Sequence, residues 1–292
     1  MFGKSIRIYL SDGYPTGLRH VEIANWSGQA IACPRNRFAE LKQWIESQRP
    51  GVYLLIEKDS SDEKNRVYVG ESENVFKRLI EHDRKKEFWN EVVILTSKDE
   101  NLTKSHIKYL ESRISVLVKL ADRYDLENGN NPVESSLPRA DKDAMEEFIY
   151  NTKIVLGTLG HKFLEPINTS NSNRDLIEDS VSLIGRDLYF NVNELKAHGK
   201  LSDEGFVLIK DSEISVKTTQ SIPGKIKELR KKYLEEGQLV EKDKKLVLTK
   251  DIILSSPSYA AALVAGTSRS GPQSWKDING KSLKTLEETL LR

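Results

Sequence analysis

The sequence predicts a chain of mixed α/β character folded as two domains. Three observations carry this. Its 292 residues exceed what one small module needs. Period-two apolar alternation and helical periodicity take turns along it. An Asn/Ser-rich stretch at 168–174 interrupts both and is the best linker candidate. Hydrophobic residues make up 38% and charged residues 30%, which is enough apolar material for ordinary cores.

Several classes are excluded early. No apolar run approaches the ~20 residues needed to cross a bilayer, so no membrane partner is expected. Residues 1–10 mix Lys4 and Arg7 into apolar positions, which reads as a strand and not as a signal peptide. A single cysteine, Cys33, cannot form an internal disulfide, and five scattered histidines offer no Cys/His metal cluster. A cytoplasmic location is expected. Lys+Arg against Asp+Glu is 45 to 44, so an acidic partner would have to meet local patches. Two exist: Arg84-Lys85-Lys86, and Lys225, Lys227, Arg230, Lys231 and Lys232. Either run also suits a solvated helix face.

Residues 5–35 alternate (Ile6, Ile8, Leu10, then Val21, Ile23) around turn chemistry at 13–17, which predicts a β-hairpin. Phe38, Leu41, Trp44 and Ile45 predict a short helix that Pro50-Gly51 stops. Asn25-Trp26-Ser27-Gly28 is expected to lie against the following core as structure. Strands at 52–56 and 66–70 flank a polar connection, a helix follows at 75–82, a third strand at 91–96, and a long helix at 103–124 that Thr103 can cap. Asn128-Gly129-Asn130-Asn131-Pro132 is a loop, and a helix spans 141–156. Beyond the linker come strands at 188–192, 205–210 and 245–249, helices at 222–237 and 259–265, and a turn at Asn279-Gly280.

Chemistry concentrates in the first α/β stretch. Tyr53 points away from Val52, Leu54 and Ile56, and Tyr68 away from Val67 and Val69. A hairpin closing symmetrically at Ser60-Ser61 would set the two phenols directly opposite each other. Arg78 and His82, four apart, neighbour each other on one helical face. On the long helix, Glu111 falls about 40° around from Ile107 at ~100° per residue. A carboxylate at that core margin costs free energy unless a cation meets it.

The ordered set Gly51-Val52-Tyr53, Tyr68-Val69-Gly70, Arg78, His82, Glu111 on a long helix and Asn131 in a loop resembles the GIY-YIG nuclease domain. Either tripeptide alone is common in strands; the ordered six are far more specific. Valine replaces isoleucine in both tripeptides, and position 91, basic or hydrogen-bonding in some relatives, is Glu91. The resemblance implies a small mixed three-stranded sheet flanked by helices, over residues 49–135. It would carry an N-terminal hairpin-helix extension at 1–48, a helix and linker at 136–175, and a second small α+β domain at 176–292.

It also implies a hydrolase cutting phosphodiester bonds in DNA. Glu111 would anchor one Mg²⁺ (or Mn²⁺), and Arg78 would fork onto the scissile phosphate. Tyr53 would take the proton from the attacking water, Tyr68 would position phosphate or water, and His82 is the rival general base. Asn131 would contact substrate, with Asn130 and Asn128 as alternatives. A phenol with a pKa near ~10 is a poor base at neutral pH, so positive charge from Arg78, His82 or the metal is expected to favour the phenolate. Restriction or phage defence would suit such an enzyme, and double-strand cutting would call for a homodimer. The other reading is a DNA-binding protein, reading modified DNA, with an inactive nuclease fold.

Farther on, Leu229-Arg230, Glu236-Gly237-Gln238-Leu239, Ser255-Ser256-Pro257-Ser258-Tyr259-Ala260-Ala261, Gly266, Gly271, Trp275 and Gly280-Lys281-Ser282-Leu283 resemble a domain of unknown function often fused to GIY-YIG nucleases. Their order is also similar to the restriction-system adenine-methylase-associated (RAMA) domain, proposed to recognise DNA, over roughly 205–290. Ser258 is expected to cap a helix of small residues. Trp275 suits either a core or a base-stacking surface.

Overall fold

Residues 51–56 are buried from end to end, because both faces of the sheet that holds them are covered. The structure, a computed structural model, describes residues 3–58, 64–129, 135–167 and 182–291. It divides into two units, Phe2–Pro166 and Ile167–Arg292. The linker candidate at 168–174, the turn at Ser60-Ser61 and Asn131 lie outside the described residues.

In the first unit, strands β1 (Ile6–Leu10), β2 (Arg19–Ile23) and β3 (Gly28–Pro34) lead through 3-10 segments at Arg35–Gln43 and Ile45–Gln48 into β4 (Gly51–Ile56) and β5 (Arg66–Ser72). Then follow α1 (Val75–Lys85), β6 (Glu91–Ser97), α2 (Lys104–Ala121), β7 (Asp125–Leu126) and α3 (Arg139–Thr158). The strands form one seven-stranded sheet in the order β1-β2-β3-β6-β4-β5-β7. The fold is therefore mixed α and β, but the expected three-stranded sheet, β6-β4-β5, is part of a larger one. β3 pairs with β6 over the full run from Gly28↔Ser97 to Pro34↔Glu91, so the N-terminal hairpin continues the sheet. β4 runs antiparallel to both of its neighbours, β5 and β6; the parallel pair is the short β5–β7.

Alternation sorts the side chains by face. Val52, Leu54, Ile56, Val67, Val69, Val93 and Leu95 pack with Ile107, Leu110 and Ile114 of α2 and with α3. Tyr53, Leu55, Val92, Ile94 and Cys33 pack with Val75 and Leu79 of α1 and with Trp89. Trp26 rests on Phe148 at 5.0 Å. The predicted helix after residue 35 is 3-10, with Leu41 buried and Ile45 65% exposed. Cys33 is fully buried, and burial pushes its thiol up to about 12.

Glu91 shares the face of Val93, opposite that of Tyr53, and so stands apart from the phenols. Arg19 pairs with one of its oxygens; Lys58 Nζ at 2.6 Å and His161 Nε2 at 2.7 Å meet the other. Burial alone would raise its pKa, but the His161 and Lys58 hydrogen bonds outweigh it and hold the carboxyl below its usual range.

The second unit contains β8 (Asp187–Val192), β9 (Leu195–Ser202), β10 (Gly205–Leu208), β11 (Glu213–Ser215), α4 (Gly224–Glu235), β12 (Leu239–Lys242), β13 (Lys245–Leu248), β14 (Ile252–Leu254), α5 (Pro257–Ala265), α6 (Gly271–Ser274) and α7 (Leu283–Leu290). The sheets run β14-β10-β9-β8 and β11-β13-β12. Two-residue turns with both φ positive, Asn193-Glu194 and Asp243-Lys244, close β8–β9 and β12–β13.

Two expectations are corrected here, and of the two readings left open for Trp275 the core one holds. Trp275 is fully buried against Phe206 at 4.5 Å, and its Nε1 donates to the Pro257 carbonyl at 2.9 Å; it is core and stacks on no base. Ser256, not Ser258, caps α5, because Pro257 suits the first helical position; Ser258 Oγ instead accepts from the Gly271 amide at 3.0 Å. Arg230 leaves the basic run: it is 5% exposed and donates to the Leu263 carbonyl at 2.8 Å and to the Ser215 carbonyl.

Replacing Glu91 with alanine would leave Arg19 and Lys58 beside an uncompensated buried gap, so Glu91→Ala should cost about 3 kcal/mol or more. Urea denaturation reads this, and a loss within about 1 kcal/mol would contradict the account.

Candidate active site

The site begins with register. β4 and β5 pair Tyr53 with Gly70 and Leu55 with Tyr68. The two phenols are therefore diagonal neighbours on one face, not directly opposite, with ring centroids 6.2 Å apart. Glycine at 70 is a spatial requirement: a β-carbon there would stand 2.3 Å from the Tyr53 hydroxyl oxygen. Gly51 is required likewise, since its β-carbon would meet the Leu95 carbonyl oxygen at 2.5 Å.

Asn74 starts α1, its Oδ1 accepting from the Lys77 amide at 3.0 Å. Val75 and Leu79 fix the helix to the sheet, which turns His82 inward until it is 6% exposed. The Tyr53 hydroxyl and His82 Nε2 share a hydrogen bond of 2.8 Å. The His82 ring lies 5.6 Å from Tyr53 and 5.0 Å from Tyr68. Its Nδ1 is buried without a hydrogen-bond partner. Lys86, one turn on, brings its Nζ to 4.2 Å from the Tyr68 ring centre. Arg78, four residues before His82, pairs with Glu81 and remains 44% exposed.

Burial, then the charges of Arg78 and Lys86, lower the His82 pKa to about 4, so the imidazole is neutral at neutral pH. Burial and Tyr68 raise the Tyr53 phenol, and Arg78 only partly offsets them. Of the cations expected to favour the phenolate, Arg78 is outweighed by desolvation of a residue 1% exposed and His82 supplies no charge, so neither does so without the metal.

Glu111 reaches the same neighbourhood from the other helix. Thr103 caps α2 with a reciprocal His106 contact, and Ile107, Leu110 and Ile114 face the sheet. Burial and the nearby Glu71 carboxylate raise the Glu111 pKa to about 7; Lys104, the Glu71 amide and Arg78 pull the other way. Tyr68 is raised by its burial and by Glu111. Glu111, Tyr68 and Arg78 thus lie within electrostatic reach of one another, and Tyr53 and His82 adjoin Tyr68.

Glu71 and its partner Lys104, 2.8 Å apart, belong to the site although no motif in the sequence marks them. The available signal was period two: Glu71 continues the Val67-Val69 face towards α2. Asn128 is committed to the backbone, its Oδ1 accepting from the Val69 amide at 3.0 Å and its Nδ2 donating to the Val69 carbonyl at 2.7 Å. Among the described residues no three His, Cys, Asp or Glu side chains form a metal-holding group. A Mg²⁺ ion held by one carboxylate, a phosphate oxygen and waters needs no such group. A half-buried carboxyl beside a second carboxylate fits a divalent cation.

Residues 188–287 are similar to a family described as a domain of unknown function (DUF4357). No curated protein matches the chain, and no solved structure does. Among the described residues no helix is long and apolar enough to cross a membrane.

The two shifted groups make opposite contributions to stability. Glu111 keeps its proton up to about 7 in the folded state against 4.5 ordinarily, so it lowers stability as pH rises through that interval. His82 refuses a proton down to about 4 against 6.5 ordinarily, so it lowers stability as pH falls through that one. Glu111→Gln should therefore stabilise the metal-free protein at pH 8 by on the order of 1 kcal/mol after solvent screening, and not near pH 4.5. Urea midpoints against pH measure this; an equal effect at both ends would sink the assignment.

Proposed function

We propose that the chain is a metal-dependent DNA endonuclease hydrolysing phosphodiester bonds in the manner of GIY-YIG nucleases, with the C-terminal unit helping to choose the target. The gathering of Tyr53, Tyr68, Arg78 and His82 around one end of the sheet, with Glu111 within their electrostatic reach, carries this reading. A bound Mg²⁺ or Mn²⁺ would stabilise charge on the leaving 3′ oxygen. Glu111 would hold it, and the cation would in turn remove the cost of ionising that carboxyl.

Arg78, the most exposed of the set, forks onto the scissile phosphate and stabilises the charge gathering there. Tyr68 orients phosphate or water. Tyr53 passes a proton: His82 is kept neutral first by burial and then by Arg78 and Lys86, and an arriving phosphate offsets the part due to those two charges. His82 Nε2 then takes the Tyr53 proton as Tyr53 takes one from the attacking water.

One observation favours a second reading. Tyr53 is 1% exposed, and a sealed phenol also suits a DNA-binding protein that keeps the nuclease fold without its reaction.

Supercoiled plasmid incubated with the full chain and Mg²⁺ or Mn²⁺ separates them. Cleavage should fall at least about 10²-fold in Arg78→Ala, and be lost in Glu111→Ala. Binding without cleavage on modified and unmodified plasmids alike would support the second reading.

A further inference from the structure

The C-terminal unit holds an open cleft of about 680 Å³ with no part in the chemistry above. Tyr189 of β8 forms one wall. His198 covers one face of its ring in a stack of 4.9 Å and 12°, and 36% of the residue remains exposed. Lys276 and Arg269 stand at the same cleft, and neither has an ion-pair partner among the described residues. The cleft thus combines an aromatic ring with two cations, Lys276 being the bridge partner of Tyr189.

Beside it lies Ile278, 84% exposed. A lone exposed apolar residue needs no explanation, but this one is held out by a firm turn. The Asp277 carboxylate accepts from the Asn279 and Lys281 amides at 3.0 and 2.9 Å, and Gly280 takes a φ of +79°. The turn is fastened to β8 through Lys276, which exchanges backbone hydrogen bonds with Tyr189 at 2.7 and 2.9 Å. An isoleucine mounted rigidly next to cations and a cleft of nucleotide-accommodating size has the make-up of an intercalating wedge.

We propose that Ile278 enters a duplex between base steps, and that the cleft receives the displaced base on Tyr189 with its phosphates on Arg269 and Lys276. Stacking on a ring and neutralising a phosphate are what those side chains offer. This rests on the reading that the chain acts on DNA, and concerns how it engages its target, not how it cuts.

The test uses the full chain in EDTA, with a duplex carrying 2-aminopurine, whose fluorescence rises on unstacking, and anisotropy to follow binding. Binding should raise the fluorescence severalfold. Ile278→Asp should abolish the rise while the duplex still binds. Arg269→Ala with Lys276→Ala should lessen the slope of log affinity against log salt by about 2. Binding with no fluorescence change, an unaltered rise in Ile278→Asp, or no binding at all would each overturn the proposal. Plasmid cleavage by a protein giving no fluorescence rise would sink the wedge and spare the nuclease; a rise without cleavage would do the reverse.

Discussion

The ring of Tyr53 lies where a side chain on residue 70 would have to be, and everything at the site is arranged around that overlap. A β-carbon at 70 would come within 2.4 Å of the ring carbon that bears the hydroxyl, so only glycine lets the phenol lie flat across β5. That places the hydroxyl under α1, within 2.8 Å of His82. It also leaves Tyr68 two residues back along the same face, where the charge of Glu111 still acts on it. The strand pairing that sets this register is protected on both sides by further strands and on both faces by helices or 3-10 turns, so the geometry is held by packing and not by loops.

Much of this first unit could be read from local chemistry. Thr103 is legible as a cap because hydroxyl capping is decided within one helical turn, and Arg78 and His82 pair because four residues return to one face. β3 is not legible in the sequence, since a strand buried on both faces shows no alternation: Gly28–Pro34 is buried at all but its last position. The diagonal relation of the phenols depended on how the connecting turn closes, which neither tyrosine reveals. The balance between burial and Arg78 at Tyr53 was equally invisible. Composition names the charges present, while desolvation depends on what covers them.

In the second unit one physical cause hides the roles of three residues. Ser258, Arg230 and Trp275 each belong to a residue type used for ligand contact, and each is used for internal bonding. Ser258 and Trp275 tie α5 to α6, and Arg230 ties the C-terminal turn of α5 to β11 through carbonyl oxygens. A backbone carbonyl is an acceptor that sequence does not advertise. The residues that remain free for a partner, Tyr189, Arg269, Lys276 and Ile278, carry no recognisable motif, and only the fold brings them together.

Cys33 has a practical consequence. The chain's one thiol is sealed in the sheet and held protonated far above neutral pH, so maleimides and mild oxidants should pass it by in the native state. Any cysteine engineered onto the surface would then be the sole reactive handle. Spin labels or fluorophores could be attached singly, without first mutating the native residue, and distances between chosen points followed in solution.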